Sequence, residues 1–157
     1  DSAAASARFQ AGLDLLKKQT QTDPEKIAAI GYCFGGAVVL NAARQGLPLA
    51  GVVSFHGALA TKTPATPGSV KAKILVEHGA LDSMVTADNV AAFKAEMDKA
   101  GADYQFVSLE GAQHGFSNPD ADRLGHGDHG GPDIGYSKAA DEQSWADMQA
   151  FFKKIFG

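Results

Sequence analysis

The chain has 157 residues, of which 45% are hydrophobic, 20% charged and 8% aromatic, a composition that indicates one soluble globular domain over residues 1–157. Its 14 basic and 18 acidic residues give a net charge of −4 without a basic cluster, which argues against nucleic acid and an anionic membrane surface as partners. No apolar run reaches the roughly 18 residues of a membrane span, and a single cysteine, Cys33, excludes an internal disulfide and favours a cytoplasmic location.

Apolar runs alternate with helical patterns along the chain. The predicted elements are a helix at 2–18, a strand at 27–30, a helix at 37–44, strands at 49–55 and 73–79, a helix at 86–100, a strand at 104–109 and a helix at 137–155. We expect the first strand to be buried on both faces, and Trp145 to lie on the buried side of the last helix. This alternation predicts an α/β fold, a mostly parallel sheet flanked by helices.

A nucleophile elbow is predicted where the first strand meets the second helix, because Cys33 occupies the centre of a G-x-C-x-G motif. A sharp turn there strains the backbone of Cys33 and lifts its side chain above the sheet. Gly31 and Gly35 are expected to remove Cβ atoms that would clash. The amide of Phe34 would point at a developing oxyanion. The alternative interpretation of Cys33 is a small buried hydrophobic residue.

An acid and a histidine follow Cys33 in the order that α/β-hydrolases use. Asp82 comes after the third predicted strand and His114 after the fourth, so both are expected at the sheet edge where parallel strands end. This order predicts that His114 takes the thiol proton and that Asp82 orients the imidazole. The alternative for Asp82 is a turn or helix cap.

Further histidines lie outside this set. His56 and His78 also end strands, and we interpret them as hydrogen-bonded core or supporting residues. His126, Asp128 and His129 suggest a metal site, but no fourth residue stands at ligand spacing, so a solvated loop is the better interpretation and no metal is expected.

Several motifs occur together in the order of one known family. They are Gly31-Tyr-Cys-Phe-Gly-Gly36, His78-Gly-Ala-Leu-Asp82 and Gly111-Ala-Gln-His114-Gly-Phe116, then Asn118-Pro119 and Ser144-Trp145. Over nearly the whole chain this set resembles the dienelactone hydrolase family of α/β-hydrolases. The resemblance implies a small ester or lactone as substrate, Cys33 as nucleophile, Asp82 as orienting acid and His114 as base. It also implies a thioester acyl-enzyme and neither a metal nor an organic cofactor.

The resemblance also indicates what lies outside this sequence. Family members are longer at the N-terminus, which implies that further strands, a second oxyanion donor and a glutamate that controls thiol ionisation are missing here. We therefore expect the C-terminal two-thirds, approximately, of a protein of roughly 230–250 residues. Its first strand should form an exposed apolar edge. The expected partner is the missing N-terminal segment or a partner chain that completes the sheet.

Substrate contacts are predicted at Tyr32, Phe116, Asn118 and Arg123. In family members that hydrolyse dienelactone, an arginine shortly after the catalytic histidine holds the substrate carboxylate. Asn118 stands at about the matching place, and Arg123 is the candidate substitute. Two other functions stay open: a non-catalytic α/β-hydrolase-like binding protein, and a nucleotide-binding domain with segment 31–36 around a phosphate, although the usual glycine motifs are absent.

Overall fold

The chain alternates helices with strands in the predicted order. A computed structural model describes residues 2–123 and 133–157. The elements are α1 (Ser2–Lys17), β1 (Ala28–Tyr32), α2 (Phe34–Arg44), β2 (Gly51–Phe55), β3 (Lys73–Gly79), α3 (Ala87–Ala100), β4 (Tyr104–Leu109), a short 3-10 helix (Ala121–Arg123) and α4 (Lys138–Phe156).

The four strands form one parallel sheet in the order β1-β2-β3-β4. This arrangement confirms the predicted α/β fold with a parallel sheet and leaves β1 at one edge. Since all four strands run the same way, their carboxyl ends meet at the same side of the molecule. Cys33, His56 and His114 each follow a strand at that side.

Helices cover both faces of the sheet. On one face, residues of α2 and α3 pack with β2 and β3 into a core that includes Leu40, Val52, Ile74, Phe93 and Met97. On the other face, α4 packs over the alternate residues of the same strands, with Val53, Phe55, Leu75, Met148 and Phe151 at the centre. The period-two alternation of β2 and β3 therefore supplies two cores from one pair of strands.

Two burial predictions are wrong. β1 is not buried on both faces, because Ile30 is 44% exposed and Tyr32 40% exposed. The helix on that side, α4, packs against β2 and β3. Trp145 is 48% exposed, whereas Ser144 is fully buried, since the buried stripe of α4 runs through Ala140, Ser144, Met148 and Phe151.

Among the residues that the structure describes, no helix has both the length and the apolar character needed to cross a bilayer.

Candidate active site

Cys33 lies at a sharp junction between a strand and a helix. β1 ends at Tyr32 and α2 begins at Phe34, so a single residue makes the turn. Its backbone has φ 51° and ψ −117°, a conformation that is strained for any residue with a side chain. The amide of Cys33 donates a hydrogen bond to the carbonyl of Phe55 (3.0 Å), which ties the turn to β2. The strained turn predicted at Cys33 is therefore confirmed, and the thiol is exposed rather than a buried packing group.

Glycines let the backbone close this turn, although not the expected pair. A Cβ at Gly31 would overlap the carbonyl of Gly35, so Gly31 is required as predicted. No described atom other than those of its chain neighbours and its own helix backbone lies within 4 Å of the Cβ position of Gly35. The second crowded residue is Gly36, whose Cβ would lie 2.6 Å from Ser54 Oγ and 2.8 Å from the Cα of Gly57. The prediction for Gly35 is wrong because Gly36 faces β2 whereas Gly35 faces open space.

The three predicted catalytic side chains are in contact with one another. Nε2 of His114 lies 3.2 Å from Sγ of Cys33, and Nδ1 of His114 lies 2.9 Å from Oδ2 of Asp82. The second carboxylate oxygen of Asp82 accepts a hydrogen bond from the amide of Met84 (2.9 Å). Asp82 and His114 are each 5% exposed. The imidazole is thus held at both ring nitrogens, in the geometry that nucleophile, base and acid require.

The surroundings of His114 favour its protonated form. The hydrogen bond with Asp82 is the main cause that raises the pKa of His114 from 6.5 to about 8, and burial acts in the opposite direction. The hydrogen bond and charge of Cys33 add to the increase. An imidazole in this setting binds strongly the proton that it takes from a thiol.

The start of α2 supplies a free backbone donor beside the thiol. Phe34 is the first residue of the helix, so its amide has no acceptor within the helix. Phe34 is 69% exposed. Its amide is therefore free to donate a hydrogen bond to a substrate oxygen, as the predicted role of oxyanion donor requires.

A cavity of about 430 Å³ opens in front of the thiol. Its lining residues are Tyr32, Cys33, His56, His114, Gly115, Ser117, Asn118, Pro119, Ala121 and Ile134. Tyr32 and Asn118, both predicted substrate contacts, lie in this wall. The ring of Tyr32 stacks on Phe55 with a centroid distance of 4.6 Å, which fixes its orientation.

The other two predicted substrate contacts lie elsewhere. Phe116 has no exposed surface and packs in the core beneath α4, because its ring is covered by the same apolar cluster as Phe55. Arg123 has a side chain that is 83% exposed and lies 3.5 Å from Asp120, and it does not line the described cavity.

Two polar side chains of this wall, those of His56 and Ser117, were not predicted as substrate contacts. His56, predicted as a hydrogen-bonded supporting residue, is 4% exposed and its Nε2 lies 2.9 Å from Oγ of Ser117. Ser117 was not singled out, and its only sequence signal is its position three residues after His114.

The predicted loop group His126, Asp128 and His129 lies outside the described residues. Within the described ranges, no three of the side chains that commonly bind metal ions come together in a ligand group.

A parallel α/β sheet, a strained cysteine between strand and helix, and a histidine–aspartate pair beside it define the α/β-hydrolase class of fold. The sequence profile of the dienelactone hydrolase family matches residues 2–156, so the chain belongs to that family. The predicted family and fold are confirmed, and both support a hydrolase.

Three relatives illustrate the likeness. A crystal structure of a dienelactone hydrolase-like promiscuous phosphotriesterase from metagenomic libraries is 37% identical, with a TM-score of 0.85 over 100% of this chain. A structure described as m3DLH is 34% identical, with a TM-score of 0.86 over 99% of this chain. An uncharacterized protein of Caenorhabditis elegans, K02A2.1, is 34% identical over 152 residues, which are 95% of this chain and 92% of that protein. The chain spans only 64% and 62% of the two solved chains.

Proposed function

We propose that this chain carries the nucleophile, base and acid of a cysteine-dependent hydrolase that cleaves a small ester or lactone. His114 takes the proton of Cys33, and the thiolate attacks the substrate carbonyl carbon. The amide of Phe34 and a second donor from outside this sequence stabilise the oxyanion. The carbon–oxygen bond to the leaving group then breaks, and His114 returns its proton to the departing alkoxide. Water, deprotonated by His114, hydrolyses the thioester and frees the acid and the thiol.

One observation carries this proposal: the unbroken chain of contacts from Cys33 through His114 to Asp82. The two hydrogen-bond distances, 3.2 Å and 2.9 Å, lie in the range that proton transfer from a nucleophile to a base, and orientation of that base by an acid, require. A core cysteine or an aspartate that only caps a turn would not need an imidazole between them.

The cavity indicates the substrate class. Among its described lining residues, the polar groups are hydroxyl, amide, imidazole and thiol, and none is a lysine or arginine. Since Arg123 turns to Asp120, no described cation is placed to hold a substrate carboxylate. We therefore propose an uncharged ester or lactone rather than one that carries its own carboxylate.

A second candidate activity comes from a relative. The metagenomic neighbour is described as a promiscuous phosphotriesterase, and it is 37% identical to this chain. The thiolate would form a bond to the phosphorus of an uncharged phosphotriester while the amide of Phe34 binds the phosphoryl oxygen. An alkoxide or aryloxide would leave with the proton of His114, and water would then hydrolyse the sulfur–phosphorus bond. We propose phosphotriester cleavage as a weaker side activity of this site.

The test is hydrolysis of p-nitrophenyl acetate by the protein and two variants. Cys33→Ala should lower the rate by at least about 10³-fold, and His114→Ala by a similar factor, because both act in one unit. Iodoacetamide should abolish turnover by alkylating the single cysteine. Full activity in Cys33→Ala would refute the proposal. Folded wild-type protein that binds esters without turnover would favour the non-catalytic binding protein, and a thermal shift with ATP or NAD would favour the nucleotide-binding alternative.

We also propose that a further strand, from a segment outside these 157 residues or from a partner chain, pairs with β1. β1 is an edge strand of the described sheet, and its apolar residues Ile30 and Tyr32 are exposed beside it. A separate groove of about 620 Å³ lies between α1 and the start of α2, with Phe9 and Phe34 in its wall. Unpaired apolar edges promote association. Sedimentation of the isolated chain should therefore show oligomers or aggregates, and a stable, monodisperse monomer would contradict the proposal.

A cytoplasmic location also remains a prediction.

A further inference from the structure

One buried side chain beside the proposed triad has no role in the chemistry above. His56 follows β2, and it is 4% exposed. Its φ of 40° is in the left-handed region, which residues other than glycine rarely adopt. The amide of His56 donates to the carbonyl of Glu77 (2.8 Å), so the sheet holds it in this conformation. Strained residues that the surrounding structure holds in place concentrate at functional sites.

The ring of His56 makes three contacts with the loop that carries His114. Its centroid lies 5.1 Å from that of His114, at an interplanar angle of 66°, and 5.1 Å from that of Phe116, at 85°. Its Nε2 lies 2.9 Å from Oγ of Ser117. The side chain that directly follows β2 thus contacts three of the four residues from His114 to Ser117.

The two touching imidazoles differ in charge. Burial, and next the charge of His114, lower the pKa of His56 to about 4. The carboxylate of Asp82 acts on His56 in the opposite direction, and Tyr32 is the other titratable ring beside it. Because the pKa of His114 is raised to about 8, only His114 is protonated near neutral pH. A neutral aromatic ring can lie against an imidazolium without like-charge repulsion.

We propose that His56 is a positioning residue for His114. Its ring supports the imidazole from the side, and its bond to Ser117 anchors the loop, so that His114 keeps one nitrogen at Cys33 and the other at Asp82. The expected effect of His56 on ester turnover rests on the proposed function. Its expected effect on the reactivity of the Cys33 thiol does not, because alkylation of Cys33 requires no ester hydrolysis.

The test separates the two kinds of contact. His56→Phe keeps a ring and loses the bond to Ser117, Ser117→Ala removes the same bond from the other side, and His56→Ala loses both. The first readout is the rate of Cys33 alkylation by iodoacetamide from about pH 5 to about pH 9, followed by intact mass. The second is kcat and KM for p-nitrophenyl acetate.

We expect His56→Ala to slow alkylation near pH 6 by about tenfold and to lower kcat by about 10²-fold with little change in KM, since a misplaced base affects the chemical step more than binding. His56→Phe and Ser117→Ala should each show a smaller loss. The double variant, His56→Phe with Ser117→Ala, should match His56→Phe alone, because the two substitutions remove the same hydrogen bond. The matched control is His78→Phe, a buried histidine at the end of the next strand, which makes no described ring contact or hydrogen bond with His114 and interacts with His114 and Asp82 only through charge. It should change either rate by less than about threefold.

An unchanged alkylation profile and kcat in His56→Ala would overturn the proposal. So would equal losses in His78→Phe. If circular dichroism shows that His56→Ala does not fold, His56→Phe and Ser117→Ala decide. If the wild type has no esterase activity but its alkylation profile still changes in the His56 variants, the proposed function fails and the positioning role stands.

Discussion

Two buried carboxyl groups, one within β3 and one just after it, differ in their hydrogen-bond partners. Asp82 follows β3, and each of its oxygens has a hydrogen bond, one from Met84 and one with His114. Glu77 lies within β3 with no exposed surface, and neither of its oxygens has a hydrogen-bond partner among the described residues. Burial raises the pKa of Glu77 from 4.5 to about 8, with the charge of Asp147 as the second cause. The difference indicates that an oriented hydrogen-bond partner, and not burial alone, distinguishes a candidate catalytic acid.

The largest expected effect follows from replacing Asp82. Asp82→Asn should lower kcat for ester hydrolysis by roughly 10³-fold, because an amide cannot hold the imidazolium of His114. Without the carboxylate, the pKa of His114 should fall from about 8 towards 6.5. The measurements are the pH–rate profile and an NMR titration of the histidines.

Asp88→Asn, on the exposed first turn of α3, is the control for a general loss of negative charge. It should leave the rate within about twofold of wild type. Asp82→Asn with wild-type activity would remove the functional distinction between Asp82 and Glu77.

Replacement of Glu77 should have a smaller effect, in the opposite direction and on a different property. Glu77→Met fills a similar volume without unpaired polar atoms, so it should raise the free energy of unfolding by about 1–3 kcal/mol. Esterase activity should stay close to wild type. Urea denaturation at neutral pH measures the change, and a destabilised Met variant would indicate that Glu77 has a partner in solution.

The smallest expected effect is the change of the free energy of unfolding with pH that Glu77 causes. The pKa of Glu77 is higher in the folded chain than in the unfolded one, so the folded state binds more protons between pH 4.5 and about 8. This contribution to stability is complete below the lower value and is lost as the pH rises through the upper one. Glu77 should contribute at most about 1.4 kcal/mol per pH unit to the slope, and Glu77→Gln should lose this part and keep the part due to His114, whose pKa is also raised to about 8. Equal slopes in both proteins, measured by urea denaturation, would show that another group titrates.

Local patterns predict much of this molecule. Alternation of apolar runs and helices was enough for the sheet, and the motif around Cys33 was enough for the elbow. The order of Asp82 and His114 after successive strands predicted which side chains would meet, because parallel strands end at one edge.

Contacts between distant residues set the limit of the prediction. Gly36 is required because of Ser54 and Gly57, which no local motif reveals. Phe116 looks like a substrate contact from its place after His114, but the turn directs its ring into the core. The raised pKa of Glu77, a residue of β3, also depends on the charge of Asp147 in α4. Each of these depends on packing between elements and not on the pattern within one.

The strained backbone of Cys33 has a consequence for engineering. At φ 51° and ψ −117°, position 33 suits a glycine better than any residue with a side chain. A selection for thermal resistance alone would therefore favour replacing the only cysteine and would discard the thiol in exchange for a more robust fold. Screens that improve this protein need a readout of the thiol at every round.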